Sequence, residues 1–131
     1  MIVVDASALL EVLLRTRAAQ SVEARLFEKA RPSLHAPHLL DVEVTHVLRR
    51  YVLRGELAPA QANARLELLA QFPIRRYSHE PLLARMWTLR AKLTAYDAAY
   101  VALAEGLRAT LVTRDERVAR SKGHTARIEL L

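Results

Sequence analysis

Four acidic residues spread along the chain sit where they could act together: Asp5, Glu43, Asp97 and Asp115. Asp5 directly follows Ile2-Val3-Val4, where a short apolar strand gives way to a helix. Asp115 repeats the arrangement behind Leu111-Val112-Thr113. Two strands ending in Asp put two carboxylates on one edge of one sheet. Asp97 falls beside Val101 and Ala104 on a helical wheel, at the border of a buried stripe formed by Tyr100, Leu103 and Leu107. Glu43 borders an apolar face of Leu40, Val44, Val47, Leu48 and Tyr51, along one edge with Arg50 and Arg54. Asp41 lies on the opposite flank of that face, so it does not easily share a site with Glu43. Each residue also has an ordinary structural use. Asp5 and Asp115 suit helix N-caps, Asp97 a capping box with Thr94, and Glu43 a surface ion pair. Gathered at one edge, the four would repel each other, and raised pKa values or a bound cation are the two ways out. A donor set made of carboxylates alone selects hard, oxygen-loving ions such as Mg²⁺ or Mn²⁺. Such ions activate water and offset the charge that grows on a phosphodiester as it is hydrolysed.

The elements that must position these groups alternate from end to end. Strand patterns fall at 1–4, 33–36, 74–77, 110–112 and 126–130, and helical patterns at 8–15, 19–31, 37–54, 59–71, 81–92, 95–107 and 114–121. Pro37 and Pro59 open helices, Pro81 sits in a first helical turn, and Gly55 fits a helix C-terminus. Strands alternating with helices predict an α/β fold with a parallel sheet covered on both faces. In such a sheet the ligand crevice lies beyond the carboxyl ends of the strands. The 131 residues are expected to form a single domain, 1–131, with no repeats and no linker.

Composition narrows the classes. The chain has no cysteine, so disulfides, thiolate zinc sites and thiol catalysis are excluded. No apolar run approaches a membrane span and the start does not read as a signal peptide, so a cytoplasmic protein is expected. The net charge is +6, from 20 Lys+Arg against 14 Asp+Glu, and the only lysines are Lys29, Lys92 and Lys122. Arginine suits phosphate recognition through its planar fork, although a GC-rich genome produces the same bias. The histidines (His35, His38, His46, His79 and His124) lack zinc-like spacing and read as surface or loop residues. Ser7 has no evident His–Asp partner for a hydrolase triad. The glycines Gly55, Gly106 and Gly123 form no phosphate-binding loop. Trp87 reads as core or interface.

Four segments together carry a resemblance: Ile2-Val-Val-Asp-Ala-Ser-Ala-Leu-Leu, Pro37…Glu43…Leu48-Arg-Arg, Tyr96-Asp-Ala-Ala-Tyr-Val-Ala-Leu-Ala-Glu and Leu111-Val-Thr-Arg-Asp-Glu-Arg-Val-Ala. In this order and at this spacing the chain resembles the PIN-domain family, and more narrowly the VapC-type toxins of bacterial toxin–antitoxin pairs. The resemblance implies a three-layer fold with a five-stranded parallel sheet flanked by helices. It implies a Mg²⁺- or Mn²⁺-dependent endoribonuclease that cuts RNA, often tRNA or rRNA, leaving 5′-phosphate and 3′-hydroxyl ends. Asp5, Glu43, Asp97 and Asp115 match the acidic motif; Asp5, Asp97 and Asp115 would hold the metal, and Glu43 would complete the shell or orient the attacking water. Ser7 and Thr113 match small hydroxyl positions that line the site. The implied partners are a VapB-type antitoxin, whose C-terminal segment lies across the active site, and a second copy of the chain. Arg50, Arg54 and Arg114 are the arginines expected to hold RNA phosphates, since they lie near motif residues. Two positions depart from the pattern: Arg117 stands where many relatives have a further Asp, leaving a second metal fewer ligands, and His46 stands where Asn is common. Arg117 keeps a second function open, that of a catalytically weak PIN-like module binding RNA or a protein. A phosphoryl-accepting domain with Asp5 as nucleophile fits poorly, because no second Asp follows Asp5-Ala6-Ser7 at the required spacing.

Overall fold

Ile2, Val3 and Val4 are all buried although they are consecutive, because the strand they form has both faces covered. In the computed structural model, which describes residues 1–28 and 30–131, this strand, β1 (Ile2–Val4), is the middle of a five-stranded sheet of order β3-β2-β1-β4-β5. Its partners are β2 (Leu34–Pro37) and β4 (Thr110–Thr113), flanked by β3 (Ile74–Tyr77) and β5 (Arg127–Leu130), and every pairing is parallel. Helices α1 (Ala6–Leu13), α2 (Ala19–Glu23), α3 (Leu39–Leu53), α4 (Pro59–Gln71), α5 (Leu83–Thr88), α6 (Ala95–Leu107) and α7 (Glu116–Ala119) complete the chain. The expected α/β class and five parallel strands are found.

The alternation of side chains along each strand divides the core in two. Ile2, Val4 and Val112 pack with Leu9, Leu13, Leu40, Val44 and Leu48 on one side. Val3 and Leu111 pack with Tyr100, Val101, Leu103 and Leu89 on the other. Three layers result. A fully buried Leu or Val contributes about 1.5–3 kcal/mol through its burial, so these two clusters hold the helices to the sheet.

Several boundaries differ from the sequence patterns, each for a physical reason. α1 begins at Ala6 rather than residue 8, because Asp5 caps it: the Asp5 carboxylate accepts the Ala8 N–H. The pattern over 19–31 is a short helix followed by a π-helical turn, Ala24–Glu28; Ala30 and Arg31 have φ of 58° and 39°, which ends any right-handed helix, and Lys29 lies outside the described residues. Pro37 does not open a helix. It is the last residue of β2, in register with Tyr77, and the His38 N–H continues the ladder to the Tyr77 carbonyl at 2.9 Å. α3 does end as expected at Gly55 (φ 73°), where the Gly55 and Glu56 N–H groups return to the carbonyls of Val52 and Tyr51. The pattern over 81–92 opens as a 3₁₀ turn, Glu80–Leu82, and its helix stops at Thr88. The last helix is only Glu116–Ala119.

α6 carries more than a stripe. Every residue from Ala98 to Ala104 is buried, because the helix lies between the sheet and α5, and its alanines permit close approach on both sides. Arg85 clasps Glu105 with two bonds of 2.7 and 2.9 Å, tying α5 to α6, and Thr125 N–H adds a third at 2.8 Å. The Arg85 bonds hold the Glu105 carboxyl down at about 2. Trp87 is 68 % exposed, so it is not a core residue. His35 is buried in β2, between the Tyr77 hydroxyl at 2.7 Å and the Ser33 hydroxyl at 2.9 Å, rather than at a surface. Among the described residues no helix is long and apolar enough to cross a membrane.

Candidate active site

The chain leaves β1 for β2 on one side, while β4 joins on the other. The connections therefore part at the carboxyl ends of β1 and β4, the position where sheets of this kind place a ligand crevice. Asp5 stands at this point as the N-cap of α1. Its Oδ1 accepts from the Ser7 hydroxyl at 2.7 Å and from the Ala8 N–H at 3.0 Å, and its Oδ2 accepts from the Thr113 hydroxyl. Ser7 and Thr113 thus line the site by holding Asp5. They also tie it to the next strand, since Ser7 Oγ accepts the Arg114 N–H at 2.9 Å and Thr113 Oγ1 the Asp115 N–H at 3.0 Å. Burial raises the Asp5 pKa, the Thr113, Ala8 and Ser7 bonds offset part of the rise, and the charge of Asp115 adds to it.

Asp115 caps α7, its Oδ1 accepting from the N–H groups of Arg117 at 2.8 Å and Val118 at 3.4 Å. Burial pushes its pKa up, but the bonds from Arg117 and Val118 together outweigh this and hold it below the usual carboxylate range. Asp97 sits in the first turn of α6. Its N–H donates to Thr94 Oγ1 at 3.2 Å, as a cap requires, while its carboxylate turns to the site instead of closing a capping box. Asp97 Oδ2 lies 3.0 Å from Arg117 Nη2 as an ion pair, without the alignment of a hydrogen bond.

Glu43 comes from α3, half-buried, with Oε1 enclosed and without a hydrogen-bond partner. Burial is the main reason its pKa rises to about 7, and the charges of Asp5 and Asp97 push in the same direction. Tyr100 was expected only as part of the α6 stripe. Its enclosed hydroxyl lies beside Glu43, offsets part of that rise, and is itself raised by burial and by the charges of Glu43 and Asp5. A tyrosine in an apolar stripe gives no sequence signal for this. Asp41 is committed elsewhere, to Arg76 at 2.7 and 2.9 Å, as its opposite flank predicts.

The four carboxylates therefore stand at one edge, where the charges of Asp5 and Asp97 reach Glu43 and that of Asp115 reaches Asp5. As they stand, no group of three or more His, Asp or Glu side chains among the described residues is set to grip an ion. The donor chemistry nevertheless suits a hard cation. All donors are carboxylate oxygens, and two of them, Glu43 Oε1 and Asp97 Oδ2, are enclosed acceptors without a hydrogen bond. Of the three arginines singled out, Arg50 and Arg54 are exposed. Arg114 is turned to Glu11 at 3.4 Å and to the Leu131 carbonyl. Val42, Glu43, His46, Arg50 and Tyr96 line a groove of about 500 Å³ that runs past Glu43.

The Glu43 shift has a measurable consequence. Below pH 4.5 the carboxyl is protonated folded or unfolded, whereas between 4.5 and about 7 the folded chain keeps a proton that the unfolded chain has lost. Stability of the ion-free protein therefore falls as pH rises through that window. Glu43→Gln is expected to flatten that part of the curve and to stabilise the ion-free fold by about 1 kcal/mol at pH 8, a figure reduced for solvent screening of a half-buried group. Chemical denaturation across pH 4–8 checks this, and parallel curves for the two proteins would refute it.

A five-stranded parallel sheet between two helical layers, with carboxylates just beyond β1 and β4 and on α3 and α6 at its carboxyl edge, is the architecture of a PIN domain. The chain belongs to the PIN-domain family, whose model matches residues 2–123. Among its relatives is the ribonuclease VapC12 of Mycobacterium tuberculosis, 41 % identical over 131 residues, which are 100 % of this chain and 99 % of that protein. A crystal structure from Pyrobaculum aerophilum superposes with a TM-score of 0.72 at 27 % identity, covering 97 % of this chain and 82 % of that one. A toxin–antitoxin complex from Klebsiella pneumoniae shares the fold, with a TM-score of 0.68 at 20 % identity over 92 % of this chain and 91 % of that one.

Proposed function

We propose that this protein is a Mg²⁺- or Mn²⁺-dependent endoribonuclease, the toxin of a toxin–antitoxin pair, acting as a single domain on tRNA or rRNA in the cytoplasm. The observation that carries the reading is the concentration of acidic charge at the crevice, with Glu43 forced up to about 7 by burial and by Asp5 and Asp97. Full-length likeness to a protein named a ribonuclease supports it. Asp5, Asp97 and Asp115 are the residues that would hold the ion, with Glu43 closing the set. A divalent ion held there would lower the pKa of water and offset charge on the phosphate. Ser7 and Thr113 keep Asp5 aimed at the crevice. Glu43, half-buried in the wall of the groove, accepts a hydrogen bond from the attacking water through its carboxylate and orients it toward phosphorus. The water oxygen joins phosphorus, the bond to the 3′ oxygen breaks, and the proton released goes to that oxygen, leaving 5′-phosphate and 3′-hydroxyl ends. Arg50 and Arg54, both exposed, are the arginines that would meet RNA phosphates. The groove past Glu43, with Val42 66 % and Tyr96 63 % exposed, suits the apolar side chains of an antitoxin segment. The exposed Leu83 and Trp87 on α5 suit a second copy.

The test is RNA cleavage by the purified chain. Cutting in Mg²⁺ or Mn²⁺ is expected to stop in excess EDTA and to return when the ion is restored. Equal cutting in EDTA would overturn the metal-dependent mechanism. The second reading, a PIN-like module that binds RNA or a protein without cutting, draws on Arg117, whose guanidinium lies between Asp97 and Asp115. RNA binding with no cleavage in either ion would select it.

A further inference from the structure

Arg117 reaches both Asp97 and Asp115 through its guanidinium. Its Nη2 lies 3.0 Å from Asp97 Oδ2 and 3.1 Å from Asp115 Oδ2, so one cationic nitrogen bridges two of the four carboxylates. The side chain is 64 % exposed, and among the described residues its side-chain ion pairs are with these two carboxylates. The Arg117 backbone N–H separately caps α7 through Asp115 Oδ1 at 2.8 Å. Cap and cation are thus two independent contributions of one residue. The neighbouring Arg120 provides an internal comparison: it is the C-cap of the same short helix, is 80 % exposed and, among the described residues, forms an ion pair with Glu116 alone, at 3.0 Å.

We infer that the Arg117 guanidinium is a tethered counter-cation that competes with a divalent ion for the Asp97 and Asp115 carboxylates. The inference rests on the metal-centre reading proposed above. In the ion-free protein Arg117 offsets the mutual repulsion of the acidic groups. It also explains why these carboxylates, as they stand, are not set to grip an ion: the space between two of them holds a positive charge. Binding an ion there requires the guanidinium to swing into solvent, which its exposure permits, and the lost ion pairs weaken the net affinity. The residue that departs from the family's acidic pattern is therefore not merely a missing ligand but an opposing charge, set to restrain metal loading.

The experiment titrates the full chain with Mn²⁺ alone, following free Mn²⁺ by electron paramagnetic resonance, for wild type, Arg117→Met and Arg120→Met. Methionine keeps the Arg117 backbone N–H and a similar length without the charge. Arg117→Met is expected to bind Mn²⁺ about tenfold more tightly. Arg120→Met, which removes the same charge three residues away at the end of that helix, is expected to match wild type. A second readout is the rise in thermal midpoint on adding Mn²⁺, which should be larger for Arg117→Met than for wild type. If Arg117→Met binds within twofold of wild type or more weakly, the competition is refuted while the metal centre stands. An equal gain for Arg120→Met also refutes it, since net charge would then be the cause. If none of the three proteins takes up Mn²⁺, the metal-centre reading falls and this inference falls with it.

Discussion

Asp97→Asn is expected to leave the chain folded and to reduce RNA cleavage by at least about a hundredfold. The separation of the two effects follows from how the residue is held. Its contribution to the start of α6 is made by the backbone, through the bond from its N–H to Thr94, and asparagine keeps that bond. Its carboxylate makes one ion pair, with an arginine that is 64 % exposed, and such pairs contribute only about 0–1 kcal/mol. The charge itself is what changes. Without it the crevice loses a proposed ion ligand and part of the field that raises Glu43. The measurements are a rate of RNA fragment accumulation in Mg²⁺ or Mn²⁺ and a thermal melt. A folded variant cutting at the wild-type rate would remove the central role given to this cluster.

Asp5→Ala should lose both activity and stability. Three donors converge on the Asp5 carboxylate, from Ser7, Ala8 and Thr113, and Thr113 is fully buried. Removing an N-cap costs about 1 kcal/mol, and leaving a buried hydroxyl without its acceptor costs about 1–3 kcal/mol more. Two effects reduce the loss. The desolvation of a buried carboxylate and its repulsion by Asp115 are relieved, and Thr113 has the Ser7 hydroxyl 3.3 Å away as an alternative partner. A net loss of about 2 kcal/mol at neutral pH is expected, read from denaturant midpoints. Asp5→Asn retains one carbonyl oxygen for the cap and should recover most of that stability with no recovery of cleavage. Were Asp5→Asn to cut RNA normally, Asp5 would be a structural cap and nothing more.

The same double use of residues decides what could be read from the sequence. Asp5 and Asp115 were legible twice over, as residues ending strands and as helix caps, and both uses are real. The strands were legible because apolar runs bounded by turn residues leave few alternatives for a sheet covered on both faces. Asp97 and Glu43 were legible from helical phase, which showed them bordering buried faces. What the phase could not show was distance across the fold. The nearness of the Tyr100 hydroxyl to Glu43 depends on how α6 packs against α3, and nothing local to either helix sets it. Arg117 was noticed only as an absent acid, because the helical pattern over 114–121 gives no direction for the end of a long flexible side chain. Pro37 misled for a related reason. Its fixed φ suits a first helical turn and the end of a strand equally, and the pairing with Tyr77 decides between them. The helical pattern over 19–31 likewise fails to reach its end because Ala30 and Arg31 have positive φ, which such residues seldom adopt.

The order β3-β2-β1-β4-β5 puts the first strand at the centre of the sheet, with one of its two neighbours arriving more than a hundred residues later: the Thr113 hydroxyl that holds Asp5 is 108 positions away. During synthesis β1 has one edge unpaired until β4 has left the ribosome, and the crevice has no second wall until Asp115 follows. A chain released early, or cleaved within α6, therefore carries three of the four acidic groups at most and cannot assemble the edge they share. For a protein proposed to destroy RNA, including that of the machinery translating it, topology postpones the hazard until translation of the domain is almost finished.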